Sequence, residues 1–356
     1  MAQGSGARAV RGRGELTVGL DLADTYSTIS VLDADGEEVE SGRVRTRTPD
    51  LLRRFSALPR SLVVLEVGTH SPWVSRLLAG LGHEMVVANP RRVRLIAQSD
   101  RKHDRADAET LARLGRADPA LLSPVQHRGE QAQADLALLR GRDALVRSRT
   151  LLINHVRGAV KSLGERLPPS SAEAFHHRAA VHLPRALGPA LKPLIDQIAS
   201  LTAQIRAMDR QVEVLGARYP ETAVLRQVRG VGPVTSLAFV LTLEDPQRFR
   251  RSRDVGPYLG LTPRQRQSGA RSPQLRITKA GDPYLRRLLV GCARYAVGPF
   301  GEDSDLKRWA LRRAPTGAPA AARNRAAVGV ARRLAVLLHH LWVTGEVYEP
   351  LHVGTA

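Results

Sequence analysis

The sequence predicts a mixed α/β domain followed by a mainly α-helical region, and three patterns support this prediction. Residues 16–47 read as short, closely spaced strands separated by turns, which is typical of an antiparallel meander. Residues 49–114 alternate between helical and strand-like patterns. Residues 135–215 carry apolar side chains at helical spacing. We therefore expect an α/β layer structure, a helical arm and a further helical domain.

The α/β domain begins with the predicted meander of three strands. Strand patterns occupy residues 16–22, 26–32 and 37–47, and Asp33-Ala34-Asp35-Gly36 predicts a turn between the last two. Shorter apolar runs at 62–65 and 85–88 have the composition of buried strands, and helical patterns precede them. A meander followed by alternating helices and strands is the order found in ribonuclease-H-like folds.

Four acidic residues occupy positions where this fold would bring them together. Asp21 falls at the C-terminal part of the first strand and Glu66 at the end of the fourth. Asp104 and Asp107 are three residues apart on a predicted helix, which puts both carboxylates on one face. Converging carboxylates repel one another unless a cation intervenes, and hard oxygen ligands suit Mg²⁺ or Mn²⁺. Singly, Asp21 could cap a turn, Glu66 could be a satisfied carboxylate at a strand end, and Asp104 could cap a helix whose dipole Asp107 favours. Together the four acids predict a two-metal site for phosphoryl transfer.

The helical arm has two segments with regular apolar spacing. In the first, Leu138, Leu145 and Leu152 recur every seven residues, and a Pro-Pro pair ends the pattern. The second is a heptad seam formed by Leu194, Ile198, Leu201, Ile205, Met208, Val212 and Leu215. The seam could pack against the preceding helix or join two chains. We predict a helical arm that also carries oligomer contacts.

The last domain contains two candidate nucleic-acid contacts. In the first, Arg229-Gly230-Val231-Gly232 joins two predicted short helices, and its exposed backbone N–H groups can bind a phosphate. The second is an exposed loop, rich in Gly, Pro and Arg, that contains Ser268. The basic side chains in and around this loop suit a polyanion, and they are Arg264, Arg266, Arg271, Arg276, Lys279, Arg286 and Arg287. Most Ser-Gly pairs in loops are turns, but a serine in a phosphate-binding loop is also a candidate nucleophile.

The amino-acid composition limits which binding partners and which cellular compartment are expected for this protein. The 356 residues carry a formal net charge of +20, which favours a nucleic-acid partner. Cys292 is the single cysteine, which excludes an intrachain disulfide and a cysteine-rich zinc module. No apolar run approaches the ~20 residues of a membrane span, so no membrane partner is expected. We predict a cytoplasmic protein that is associated with the nucleoid when bound to DNA.

These patterns divide the chain into five segments. Residues 1–14 form a basic arm that is predicted to be disordered and does not read as a signal peptide. Residues 15–130 form the α/β domain and residues 131–220 the helical arm. Residues 221–345 form the C-terminal domain, where helices are predicted at 282–296 and 326–342 with a connector at 314–323. Residues 346–356 are a tail.

Several motifs, in their order and spacing, resemble one known family. They are Gly19-Leu20-Asp21, Leu65-Glu66-Val67-Gly68, Asn89-Pro90, Asp104-Arg105-Ala106-Asp107-Ala108, Arg229-Gly230-Val231-Gly232-Pro233, Gly260-Leu261-Thr262-Pro263-Arg264-Gln265, Ser268-Gly269 and Gly281-Asp282-Pro283-Tyr284-Leu285-Arg286. On these motifs the chain resembles the DEDD-type transposases of bacterial insertion sequences, which have a RuvC-like N-terminal domain and a C-terminal serine transposase domain. The resemblance covers nearly the whole chain, from residue 16 to about residue 343.

The resemblance implies a chemistry and a set of partners. In the family, four acids bind metal and a serine attacks DNA, and the match carries these roles onto Asp21, Glu66, Asp104, Asp107 and Ser268. Members are guided by a structured RNA encoded by the element. They act on donor and target DNA as multimers, which implies a dimer or tetramer whose RuvC-like and serine domains meet across subunits. The family often has Ser-Ser-Gly-Gly in the serine loop, where this chain has Gln267-Ser268-Gly269-Ala270, so Ser272 is the alternative nucleophile.

Three other functions are compatible with parts of the sequence. A RuvC-like, metal-dependent nuclease acting on branched DNA would use the same acids with water as nucleophile, and Ser268 would be structural. A sugar-kinase-like or actin-like ATPase would account for the strand turn from Asp21 to Thr28, but its second nucleotide-binding half is missing and the charge of +20 fits it badly. A non-enzymatic RNA-binding protein would account for the charge alone.

Overall fold

The fold is given by a computed structural model that describes residues 16–96, 104–266, 273 and 275–351. Ser268, Arg271, Ser272 and the predicted basic arm lie outside the described residues. The chain divides into two compact units, Met1–Glu130 and Gln131–Ala356.

The first unit is built on a five-stranded sheet. Its strands are β1 (Thr17–Asp21), β2 (Tyr26–Leu32), β3 (Glu38–Arg45), β4 (Leu62–Glu66) and β5 (Glu84–Ala88). Their order in the sheet is β3-β2-β1-β4-β5, with β1, β2 and β3 antiparallel and β1, β4 and β5 parallel. The predicted meander and the two later strands are confirmed, and β3 forms one open edge of the sheet.

The turn between β2 and β3 shows why the local sequence determines the meander. One carboxylate oxygen of Asp33 accepts hydrogen bonds from the backbone N–H groups of Asp35, Gly36 and Glu37 at 2.9, 2.9 and 3.0 Å. These bonds, that of Glu37 above all, lower the pKa of Asp33. Gly36 has a φ of +90°, which favours glycine. The predicted turn is therefore stabilised by its own side chains.

Helices cover both faces of this sheet. They are α1 (Thr48–Ser56), α2 (Ser71–Gly80), α3 (Pro90–Ile96) and α4 (Asp104–Ala117). The side chains of α1 and α2 pack on one face, around Leu51, Phe55, Val74 and Leu78. On the other face, Leu111 of α4 packs on Leu62 and Val64 of β4. The sheet is therefore the middle layer of a three-layer unit, consistent with the predicted RuvC-like domain.

Two glycines allow α4 to lie directly on the sheet. A Cβ atom added at Gly19 would lie 1.8 Å from the carbonyl oxygen of Ala108, and one added at Gly115 would lie 2.3 Å from Cγ2 of Val64. Any side chain at either position would push the helix away from β1 and β4. These two glycines therefore permit the close packing of α4 against the sheet. That packing determines where the acidic residues of α4 can lie.

The second unit begins with a helical hairpin. Its helices are α5 (Glu130–Ser162), α6 (Phe175–His182) and α7 (Gly188–Gly216). At the outer end of the hairpin, Ile153 and Val156 of α5 share an apolar cluster with Ile195 and Ile198 of α7. Polar pairs continue the contact along the hairpin, from Arg149 to Thr202 at 3.3 Å and from Arg142 to Asp209 at 2.5 Å. The two long helices therefore run antiparallel along each other.

This packing corrects the expectation for the heptad seam. Ile198, Leu201, Ile205, Val212 and Leu215 are all buried within a single chain. Their helix is covered by α5 of that chain, so the seam is an intrachain contact rather than an oligomer contact. A heptad pattern reports an apolar stripe that needs a partner helix, but it does not say which chain supplies the helix.

Replacing Ile198 with Asp is expected to lower the free energy of unfolding by roughly 3–5 kcal/mol, because it removes a packed side chain and buries an unpaired charge. Ile198 is fully buried. Val214 lies on the same helix but is 74% exposed, so Val214→Asp is the matched control, with an expected change within about 0.5 kcal/mol. Chemical denaturation followed by circular dichroism measures both. Unchanged stability of Ile198→Asp with a smaller particle mass would contradict the intrachain assignment.

The rest of the second unit is helical. Its helices are α8 (Glu221–Leu225), α9 (Pro233–Leu243), α10 (Val255–Tyr258), α11 (Pro283–Val297), α12 (Asp305–Arg313) and α13 (Ala320–Thr344). All residues of α9 after Val234 are buried. Leu136 and Leu139 of α5 belong to the same core as α9, α11 and α13, so the base of the predicted arm and the predicted C-terminal domain share one core. The predicted connector at 314–323 is wrong from Ala320 onward, where α13 begins.

Within the described residues, α13 is long and apolar enough to cross a membrane, judged by length and composition alone. Half of its most apolar stretch is buried inside the protein. Val330, Leu334, Leu338 and Leu341 are core residues that pack with the neighbouring helices. Its apolar side chains are thus accounted for by the core of the second unit.

Candidate active site

Two of the four predicted acids lie side by side at the ends of neighbouring strands. The parallel strands β1 and β4 pair Leu20 with Leu65, and the next residues are Asp21 and Glu66. Adjacent strands are about 4.8 Å apart, so the two carboxylates leave the sheet as neighbours. Both residues are half-buried. The strand-end prediction for Asp21 and Glu66 therefore agrees with the observed register.

The other two acids lie at the start of α4, on the same face of the sheet. Gly19 faces Ala108 of α4, and side chains two residues apart on a strand share a face. Asp21 therefore points to the α4 side. Asp104 lies one helical turn before Ala108, and Asp107 directly precedes it. The predicted acids thus come from the elements, and the face of the sheet, that a shared site requires.

The four carboxylates do not form a closed ligand cluster. Among the residues that the structure describes, no three His, Cys, Asp or Glu side chains lie close enough together to hold one metal ion. Asp104 instead pairs with Arg43 of β3 at 3.5 Å, and both side chains are about two-thirds exposed. The prediction that all four acids converge remains a prediction, and Arg43 is an unforeseen neighbour of the site.

The chemistry of the acids fits a hard divalent cation. Asp21 and Glu66 present carboxylate oxygens from adjacent parallel strands, and such oxygens are the preferred ligands of Mg²⁺ and Mn²⁺. Two neighbouring carboxylates also repel each other, and a cation between them relieves that repulsion.

An ion pair holds the start of α4 to the sheet. Arg105, which lies between Asp104 and Asp107 in sequence, pairs with Glu38 of β3 at 2.5 Å. Glu38 also accepts a hydrogen bond from Ser30 Oγ at 2.9 Å. The bond from Arg105, together with that from Ser30, lowers the pKa of Glu38. The acidic end of α4 is therefore tied to the edge strand.

In the second unit, the predicted Gly-x-Gly turn lies between α8 and α9. Gly230 has a φ of +95°, and a Cβ atom there would lie 2.7 Å from the Tyr295 ring. At Gly232 no atom lies within 4 Å of an added Cβ, so this side of the turn is open. Nη1 of Arg229 lies 3.9 Å from Oε2 of Glu302. The hydrogen bond between Arg229 and Tyr295 raises the pKa of Arg229. The turn has the predicted form, and phosphate binding by it remains a prediction.

The segment that carries Ser268 leaves the core as a two-stranded ribbon. Pro263 and Ile277 form an antiparallel bridge. Next to it, Arg264 N–H donates to the Arg276 carbonyl and Thr278 N–H to the Thr262 carbonyl, both at 2.9 Å. In sequence, Ser268 and Ser272 fall between the two sides of this ribbon, and both lie outside the described residues. The base of the ribbon agrees with the predicted exposed loop.

Glycines fix the ends of the ribbon against the core. Gly260 and Gly281 both have a φ of +66°. A Cβ atom at Gly260 would lie 2.2 Å from the Ala280 nitrogen, and one at Gly281 would lie 2.1 Å from the Tyr258 carbonyl oxygen. Beyond Gly281, Asp282 caps α11 by accepting from the N–H groups of Tyr284 and Leu285. The ribbon therefore begins and ends at fixed points.

The basic residues around the ribbon fall into two groups. Arg264, Arg266, Arg276, Lys279 and Arg287 are exposed, whereas Arg286 is partly buried. Arg286 donates to the carbonyl oxygens of Leu259 at 2.9 Å and Ala280 at 2.5 Å. Arg287 pairs with Asp143 of α5 at 2.6 Å and lies over the Tyr284 ring. The exposed side chains can contact a polyanion, while Arg286 and Arg287 also stabilise the packing around the ribbon. Arg271 lies outside the described residues.

Comparison with known proteins gives a consistent result for both units. A family model described as "Transposase IS116/IS110/IS902 family" matches residues 222–305, and a DEDD transposase model of the IS110 type matches residues 18–164. A "Probable family 20 transposase" of Pseudomonas aeruginosa is 30% identical over 344 residues, which cover 94% of this chain and 98% of that protein. The chain belongs to the IS110/IS116/IS902 transposase family.

Two further relatives are named for their mobile elements. The "Transposase for insertion sequence element IS1111A" of Coxiella burnetii is 27% identical over 339 residues, covering 93% of this chain and 91% of the relative. The "Transposase for insertion sequence element IS1328" of Yersinia enterocolitica is 30% identical over 285 residues, covering 78% of this chain and 82% of the relative. Both matches extend across the two units.

Membership of the IS110/IS116/IS902 transposase family confirms the predicted resemblance and enzyme class. The protein is an insertion-sequence transposase, an enzyme that acts on DNA. Its DEDD domain implies dependence on a divalent metal ion. The sugar-kinase-like ATPase considered above is therefore wrong for this chain.

Sequence reasoning missed the basic side chains that this transposase carries beside its acids. Arg43 contacts Asp104, and Arg105 ties the acidic helix end to Glu38. One signal could have indicated the first, since Arg43, Arg45 and Arg47 alternate along an edge strand and so share one face. The second depends on a contact between distant parts of the chain that local sequence does not reveal.

Proposed function

We propose that this transposase cuts and rejoins DNA strands with a serine nucleophile and a carboxylate site that binds Mg²⁺ or Mn²⁺. The single observation that carries the proposal is the register of β1 and β4, which makes Asp21 and Glu66 neighbours on the face where α4 packs. The proposed metal ligands are Asp21, Glu66, Asp104 and Asp107. A divalent ion held there would stabilise the negative charge that develops on the phosphodiester as it reacts.

The protein's own side chains prepare this site. Asp21 and Glu66 are fixed by the hydrogen bonding of their strands. Arg105 and Glu38 hold the start of α4, and with it Asp104 and Asp107, beside the sheet. Asp21 and Glu66 are thus held in place before a cation binds, which favours electrostatic catalysis, whereas Asp104 must exchange Arg43 for the cation.

Ser268 is the proposed nucleophile, and Ser272 the alternative. In the proposed step, Ser268 Oγ forms a bond to phosphorus and its hydroxyl proton passes to a carboxylate. The bond from phosphorus to the deoxyribose oxygen breaks, and that oxygen takes up a proton from water and leaves as a hydroxyl group. The resulting phosphoserine conserves the bond energy for rejoining. A serine hydroxyl is a weak nucleophile at neutral pH, and the sequence offers no His or Glu beside Ser268. We therefore assign its activation to the acidic site, with Arg264, Arg266 and Arg276 stabilising charge on the phosphate.

The proposed partners are donor DNA, target DNA and a structured guide RNA encoded by the element. The net charge of +20 and the exposed Arg264, Arg266, Arg276 and Lys279 support nucleic-acid partners, and the Arg229–Gly232 turn is proposed as a further phosphate contact. We also propose a homo-oligomer, dimer or tetramer, that works in the cytoplasm and on the nucleoid. Because the heptad seam is occupied by α5, other surfaces must supply the oligomer contacts.

The guide RNA can be tested on the protein as purified. Sequencing of the nucleic acid that accompanies the full-length chain is expected to return one discrete RNA, transcribed from the end of the mobile element. Binding of a folded RNA to specific contacts enriches one sequence, whereas a basic surface alone retains many. A heterogeneous mixture that matches the RNA composition of the cell would contradict the guide.

A further inference from the structure

A row of side chains extends from the acids to the open edge of the sheet. Asp21 of β1 pairs with Thr28 of β2, and Thr28 pairs with Arg43 of β3. Residues paired across neighbouring strands point to the same face, so Arg43 lies on the face that carries Asp21. The ion pair of Arg43 with Asp104 confirms that orientation. The edge strand therefore places a cation beside the acidic site.

The next pair of residues on the same face of β2 and β3 is also suited to binding nucleic acid. Tyr26 of β2 pairs with Arg45 of β3, and both share the face of Arg43 because they lie two residues away from Thr28 and Arg43. Arg45 donates to the Tyr26 hydroxyl at 3.1 Å, and its guanidinium carbon is 5.7 Å from the ring centroid. Tyr26 is 44% exposed. Tyr26, Arg43 and Arg45 line a groove of about 520 Å³ at the sheet edge, together with Val44 and side chains at 50–57.

The arginines of this groove differ in how closely an acidic side chain pairs with them. Arg53 pairs with Asp50 at 2.9 Å, and Arg54 pairs with Glu40 at 2.7 Å. Arg43 is held by the weaker 3.5 Å contact with Asp104, and Arg45 is held by a phenol rather than a carboxylate. Arg43 and Arg45 are thus the cations of the groove most easily turned toward an anion.

We propose that Tyr26, Arg43 and Arg45 form a strand-binding strip that holds a single DNA strand as it enters the acidic site. Arg43 and Arg45 contact successive phosphates, since residues two apart on a strand are about 6.7 Å apart, close to one step of an extended nucleic-acid chain. Tyr26 stacks on an unpaired base, which every base can do because each has a π face. The proposal rests on the proposed function, because it takes Asp21 and Glu66 as the point where the strand is cut.

The occupant is a DNA strand rather than RNA because the strip is continuous with the site of an enzyme that acts on DNA. An exposed aromatic ring favours a single strand, whose bases are free to stack. A solvated, non-binding edge is the competing interpretation. It predicts that these arginines behave like any other surface arginine of the chain.

The test measures the affinity of the full chain for a labelled single-stranded DNA of mixed sequence, without divalent ions, over a range of NaCl concentrations. The plot of log affinity against log salt has a negative slope, and Arg43→Gln and Arg45→Gln are each expected to reduce the magnitude of that slope by about 0.7, the value for one lost phosphate contact on a single strand. Tyr26→Leu is expected to leave the slope unchanged and to weaken binding roughly fivefold or more.

Arg60→Gln is the matched control. Arg60 is exposed, belongs to the same unit, and precedes β4 at the end opposite to Glu66, so its loss should not change the slope. A probe containing iododeoxyuridine should also crosslink to Tyr26 in the parent protein. Slopes for Arg43→Gln and Arg45→Gln equal to that of Arg60→Gln would overturn the strip. If the arginine variants reduce the magnitude of the slope only with the RNA form of the probe, the assignment of the strip to DNA is overturned.

The binding test is separable from the proposed chemistry because no strand is cut in it. If the arginine variants show the expected reduced slopes and Tyr26 crosslinks, but Asp21→Asn still cleaves DNA, the proposed function is refuted and the binding strip is not. Altered cleavage by Asp21→Asn with unchanged slopes in the arginine variants would refute the strip alone.

Discussion

Asp21→Asn is expected to reduce divalent-dependent DNA strand cleavage by roughly a thousandfold or more while the protein stays folded. Asp21 ends β1 beside Glu66 and faces α4, so the sheet fixes its position. An amide keeps the size of the side chain but removes the charge that attracts a divalent cation. Cleavage of element-end DNA with the guide RNA present, over a series of Mg²⁺ and Mn²⁺ concentrations, measures the effect.

Asp35→Asn provides the matched control for this change. Asp35 is an exposed aspartate in the turn between β2 and β3, and the same loss of charge there should leave the cleavage rate within about twofold of the parent. Circular dichroism and thermal unfolding establish that both variants are folded. If Asp21→Asn cuts as well as Asp35→Asn, Asp21 is not a metal ligand and the assigned site is wrong.

The second large effect is expected from Ser268→Ala, which should abolish strand cleavage and rejoining but retain guide RNA and DNA binding. Removing the attacking oxygen removes the covalent intermediate, through which both cleavage and rejoining are proposed to pass. Ser272→Ala is the matched control, because it makes the same change four residues further along the sequence. A RuvC-like nuclease that uses water would instead cut normally after either substitution.

The sequence predicted those parts of the fold that depend on neighbouring residues. The Asp33 turn forms through bonds to Asp35, Gly36 and Glu37, so the meander could be read directly. Asp21 and Glu66 were recognisable because each follows a short apolar run that became a strand. The ribbon before and after Ser268 was likewise indicated by its Gly, Pro and Arg content, although its bridge between Pro263 and Ile277 was not.

Other features depend on contacts between distant segments, which no local pattern reveals. The heptad seam of α7 showed that a partner helix was needed, but only packing identifies α5 as that helix. The interactions of Arg43 with Asp104 and of Arg287 with Asp143 join residues far apart in the chain. Helix α12 was missed because its sequence is mostly charged, and α13 starts before the predicted helix because Ala320 follows Pro319 at its N-cap.

The most direct test of the account is to trap the protein–DNA adduct and identify the modified residue by peptide mass mapping. The account predicts a phosphodiester link to Ser268 in the parent protein and loss of the adduct in Asp104→Asn, because the acidic site must activate the serine. A link to Ser272, or an adduct on Ser268 that forms undiminished when Asp21 and Asp104 are both replaced by Asn, would contradict it.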